Sequence, residues 1–159
     1  MLVKTVSDIS DSEKLVVCGD LNAHVGVNAD GFGMVHGGNG FGERNLEGEM
    51  MLEFAEAMDL AVLNTWFQKD LDKRVTYESG RSKSQIDYVL VRRSELSTVT
   101  DVKVIAGEEC IQPHRLLVCV LNIKELLRKC KEKPVSRCRV WRLKDVIVKN
   151  KLLDESRVR

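Results

Sequence analysis

The stretch LVVCGDLNAHVG, Leu15–Gly26, decides how the rest of the chain is read. Leu15–Cys18 is apolar and ends at Gly19, the pattern of a buried strand running into a turn. Asp20 and Asn22 follow at once, two residues apart. A strand extending through them sets both side chains on one face. A carboxylate there can orient or deprotonate a water, and a carboxamide can hydrogen-bond an oxyanion. The same residues also fit an Asx turn after a strand, the commoner use of such a sequence.

Downstream, Val25–Gly42 holds 7 of the 11 glycines and reads as a long mobile loop. It lacks the Gly-Lys-Ser/Thr ending of a phosphate-binding loop. Asn45 is placed to cap a helix whose first turn carries Glu47 and Glu49, where the dipole favours them. Leu46, Met50, Met51, Phe54 and Met58 recur at helical spacing and predict its core face. Strands are predicted at Leu60–Asn64, Val75–Glu78, Ile86–Val91, Val102–Ile105 and Leu116–Leu121. Turn signals at Ser79-Gly80, Gly107 and Pro113 separate them. Strands mixed irregularly with helices argue an α/β or α+β sandwich.

Two more clusters carry chemistry. In SQIDY, Ser84–Tyr88, Asp87 opens an otherwise apolar strand, where a carboxylate is unfavourable unless paired. A histidine is a natural partner, because the carboxylate fixes its tautomer; a water-exposed strand end is the plainer alternative. Pro113-His114-Arg115 then leads into LLVCVL, setting a histidine at the mouth of a core strand, catalytic or merely a satisfied polar group. Zinc bound by Cys110, His114 and Cys119 is excluded by the spacing, which has no paired Cys-x-x-Cys unit.

Composition bounds the function classes. The 159 residues have a net charge of +1, 43% hydrophobic and 31% charged residues, which is globular rather than disordered. Residues 124–159 carry 13 basic and 5 acidic side chains, a net of +8, while 1–123 carry 12 and 19, a net of −7. The expected division is therefore a domain over 1–123 and a basic helical connector over 124–159. No apolar run approaches the length of a membrane helix, and the first residues lack the apolar core of a signal peptide. Five cysteines, an odd number, fit free thiols in a reducing compartment. An intracellular chain is expected.

GDLNAHVG, a helix, SQIDYVLV, and a histidine entering the last strand occur in an order that resembles the endonuclease/exonuclease/phosphatase superfamily. The resemblance is to the apurinic-endonuclease-like domain of RTE-type LINE retrotransposons, carried also by LNTWF, VTYESG and HRLLV over residues 15–121. It implies a four-layer sandwich of two mixed sheets between outer helices, only partial here, and Mg²⁺-dependent cleavage of DNA phosphodiesters. By the resemblance Asp20 positions and deprotonates the attacking water, and Asn22 binds a non-bridging oxygen. Asp87 orients His114, which stabilises the developing negative charge. Arg44, Asn45, Arg81 and Lys83 would touch DNA phosphates.

Two departures from the family pattern stand out. Gln112-Pro113-His114 replaces the usual Ser-Asp-His, so Pro113 removes a carboxylate and a backbone N–H. Only about a dozen residues precede the first strand, so the half carrying the principal Mg²⁺ ligand is expected to be missing. Exposed sheet edges open to self-association or a protein partner would follow. The alternative is a catalytically inactive module binding nucleic acid or protein. A nuclear location goes with a DNA target, and Lys124–Lys133, Arg137, Arg139 and Arg142 around Trp141 could bind its backbone.

Overall fold

The computed structural model describes residues 2–111 and 113–122. Gln112 and residues 123–159, including the expected basic helix and Trp141, lie outside the described residues. The chain begins with α1 (Leu2–Ser7) and β1 (Val16–Asp20), then α2 (Leu46–Ala57) and β2 (Leu60–Val62). There follow β3 (Tyr77–Ser79), β4 (Ser82–Ser84), β5 (Asp87–Arg92), β6 (Val99–Ile111) and β7 (His114–Leu121), with short 3₁₀ turns between some of them. The fold is α+β.

The strands form two antiparallel sheets, ordered β1-β5-β2 and β4-β3-β7-β6. The resemblance implied mixed sheets, yet every strand pair within these two sheets is antiparallel. Hairpins explain part of this, because strands joined by a short turn can only pair that way. Gly80, with φ of +61°, makes the turn between β3 and β4.

β5 shows why its apolar run is continuous. Tyr88 and Leu90 enter one core with Leu52 and Ala55 of α2, Leu60 and Val62 of β2, and Leu15. Val89 and Val91 point the other way, into a core with Val99 and Val102 of β6 and the flanking Leu117 and Leu121 of β7. Alternation along one strand therefore glues three layers: helix, first sheet and second sheet. Both faces are buried, so a periodic polar face is absent.

The helix is capped as expected, since Asn45 Oδ1 accepts from Gly48 N–H. Its buried face is turned from the predicted one, with Met51 common to both. Leu46 and Met50 are exposed, at 68% and 59%, while Gly48, Met51, Leu52 and Ala55 are buried. Those four positions share helical spacing, and Gly48 gives the reason for the rotation. A Cβ on Gly48 would lie 1.8 Å from the His24 carbonyl oxygen, so the first turn packs backbone against the chain after β1. Phe54 and Met58 pack at the edge of that core.

The glycine-rich stretch is held, not loose. Val25, Val35 and His36 are buried in it, and His36 Nε2 lies 3.1 Å from the Gly26 carbonyl while Nδ1 accepts from Gly38 N–H. Arg44 donates to the carbonyls of Val25, Asp30 and Asn28 and stands over the Phe32 ring. Composition suggested mobility because glycine count does not register such cross-links. Among the described residues no helix is long and apolar enough to cross a membrane.

Candidate active site

The first sheet supplies two carboxylates. β1 and β5 run antiparallel with Asp20 directly opposite Asp87. Like charges facing each other in this way repel, so the pair favours a neighbouring cation or a proton donor. The second sheet supplies the donor. β7 begins at His114, whose Nδ1 lies 3.1 Å from Asp87 Oδ2 and 3.3 Å from Oδ1. An ionised carboxylate only accepts, so this contact assigns a proton to Nδ1 and leaves Nε2 as the nitrogen not engaged by Asp87. Donor atoms of Asp20, Asp87 and His114 all lie within 4.8 Å of one another.

Several contacts fix these groups. The Tyr77 ring meets the His114 ring edge-on, with centroids 5.1 Å apart and planes at 78°. Tyr77 is also the ladder partner of His114, and Glu78 N–H donates to the Pro113 carbonyl. Pro113 thus lies in the turn just before the strand, where a missing N–H is tolerated. Arg115 is tied to the Glu78 carboxylate and to the Asp72 carbonyl. The Tyr88 hydroxyl sits 2.9 Å from the Ala23 carbonyl and 2.7 Å from that of Gln85, anchoring both carboxylate strands.

The Asp20 cluster takes the Asx-turn form rather than a strand extending through Asn22. β1 ends at Asp20, and Asn22 N–H donates to Asp20 Oδ1 at 2.9 Å, an Asx turn. Asn22 has φ of +49°, a left-handed conformation that asparagine tolerates. Strand alternation therefore does not govern where the carboxamide goes; the turn does. Asn22 is exposed beside the carboxylates.

The four residues named for DNA contact have different surroundings. Arg44 is bonded to loop carbonyls, as above, and Asn45 Oδ1 accepts from both Gly48 and His24 N–H. Arg81 is exposed on the β3–β4 turn. Lys83 is exposed and pairs with Asp72 at 3.0 Å and Glu78 at 3.7 Å.

Sequence reading missed Asn64. It is buried, its Nδ2 donating to the Asp87 carbonyl at 3.0 Å and its Oδ1 accepting from Val89 N–H at 3.0 Å. β2 stops at Val62, and this carboxamide continues its ladder against β5 in place of backbone. The signal was a polar residue ending the apolar run LAVLN. A groove of about 730 Å³ adjoins the site, lined by Asp87 and His114 together with Val16, Cys18, Val89 and Leu117 among others. Cys18 and Cys119, which also lines it, are free thiols.

Two curated relatives give the comparison with known proteins. The chain is 33% identical over 112 residues to craniofacial development protein 2 of Bos taurus, and 32% identical over 112 residues to that of Tragulus javanicus. Each match covers 69% of this chain and 19% of the relative, so the chain spans about a fifth of their length. No protein-family model matches the chain.

Proposed function

We propose that this chain carries the general base, oxyanion donor and imidazole of a Mg²⁺-dependent phosphodiesterase site acting on DNA. One observation carries the reading: His114 from one sheet is bonded to Asp87 from the other, beside Asp20. Asp20 takes a proton from an attacking water, and Asn22 hydrogen-bonds a phosphate oxygen as charge builds. Asp87 orients His114 through Nδ1–H, and the ring in its doubly protonated, imidazolium form donates Nε2–H to that charge.

The carboxylates suit Mg²⁺, which takes a few hard oxygen donors and keeps several waters. Asp20 and Asp87 are the residues that would hold it, since His114 Nδ1 is engaged with Asp87. When bound, the ion would supply positive charge to the phosphate oxygens. A nuclear location would follow from a DNA substrate.

A plasmid-nicking assay in Mg²⁺ tests the reading. Nicking by the wild-type chain and its loss in His114→Ala are expected; nicking no greater than in that variant rejects an active enzyme. The groove favours a second reading, an inactive module whose sheet face receives a protein partner or a second copy. A chain that does not nick yet associates in sedimentation experiments would fit that reading instead.

A further inference from the structure

Asp87 and His114 belong to different sheets, so their bond depends on how the two sheets are joined at this point. Thr76 lies at the joint, fully buried at 0% exposure. Its Oγ1 accepts from Asp87 N–H at 3.1 Å and from Ile86 N–H at 3.0 Å. Its carbonyl accepts from Arg115 N–H at 2.7 Å, the residue after His114. Its own N–H donates to Ser84 O, and the next residue, Tyr77, is the ladder partner and ring neighbour of His114. Asn64 braces β5 alone, whereas Thr76 bonds to the backbone beside both members of the pair.

We propose that Thr76 is a positioning residue that holds Asp87 in register with His114, its hydroxyl fixing the carboxylate strand and its carbonyl fixing the histidine strand. A hydroxyl oxygen has two lone pairs and fits the two amides that reach it. The β-branched side chain restricts χ1, so the oxygen stays aimed at them. Without that oxygen the two amides lose their partner in a dry site, and the start of β5 is free to move relative to β7.

The role of the pair in catalysis rests on the function proposed above; its geometry does not, and the test separates them. Long-range ¹H–¹⁵N correlation on the labelled full chain reads which nitrogen of neutral His114 carries the proton, with His114→Ala giving the assignment. The wild-type chain and Thr76→Ser are expected to keep the proton on Nδ1. Thr76→Ala, smaller than serine only by the oxygen, and Thr76→Val, of nearly threonine's shape, are expected to lose that preference. Where the wild-type chain nicks plasmid, the same two variants should lose about a hundredfold, as misplacement of a reacting group does, with serine restoring it. Serine and alanine variants that behave alike overturn the proposal, as does a wild-type His114 without the Nδ1 proton. If Thr76→Val does not fold, the serine–alanine comparison still decides. A wild-type chain that does not nick removes the enzyme reading, and the tautomer alone then judges Thr76.

Discussion

His36 shows how burial, as the largest of several influences, tunes a side chain in this chain. Desolvation holds its imidazole pKa below the ordinary value; the Gly26 carbonyl opposes this and the Arg44 charge adds to it. The folded form therefore binds a proton less readily than the unfolded chain. Stability contributed by neutral His36 is complete above the unfolded value, near 6.5, and is lost as pH falls below it toward the folded value. Urea unfolding between pH 7 and 5 should show a steeper loss for the wild-type chain than for His36→Gln. The difference should be at most about 1.4 kcal/mol per pH unit. Equal slopes would contradict the burial.

At the level of elements, α2 illustrates how a correct helix can be given a partly wrong face, since Met51 is buried as predicted while Leu46 and Met50 are exposed. The spacing of Leu46, Met50, Met51, Phe54 and Met58 is helical, and the helix forms over Leu46–Ala57 behind its Asn45 cap. Which side turns inward is decided by Gly48 against the His24 backbone, a contact with a residue 24 positions earlier in the sequence. Leu52→Ala should accordingly destabilise by about 2–5 kcal/mol, as large-to-small changes in packed cores do. Met50→Lys should stay within about 0.5 kcal/mol, as exposed substitutions do. Chemical denaturation of the two variants measures both, and equal losses would restore the face read from periodicity. β1 is a comparable case. Its apolar run is a strand as expected, but it is the edge of its sheet and Val16 is 45% exposed.

For the whole molecule, the uneven charge distribution bears on how DNA would be held. Within the described residues two of the expected phosphate contacts, Arg44 and Asn45, have polar groups bonded to the fold itself. Arg81 and Lys83 are exposed. If residues 124–159 supply most of the phosphate contacts, with their net charge of +8, deleting them should weaken DNA binding. The slope of affinity against salt should flatten as well, because fewer counterions are released. Fluorescence anisotropy across a salt series measures both, and an unchanged slope would exclude the tail from the interface.

The sequence by itself determined a mixed class of helices and strands, five of the seven strands to within a few residues, the capped helix, and the two carboxylates and the imidazole that the fold brings together at Asp20, Asp87 and His114. These are local properties: apolar runs, turn residues and caps act over a few positions. It also marked Asp87 as a carboxylate in need of a partner. The family resemblance named His114 as that partner, and the tertiary structure supplies the contact itself, which joins two sheets across 27 positions of sequence. The inward face of α2, the cross-linked glycine loop and the bracing of β5 by Asn64 and Thr76 were equally out of reach. Each depends on a buried polar group or a glycine meeting distant backbone, and neither contributes to hydrophobic periodicity.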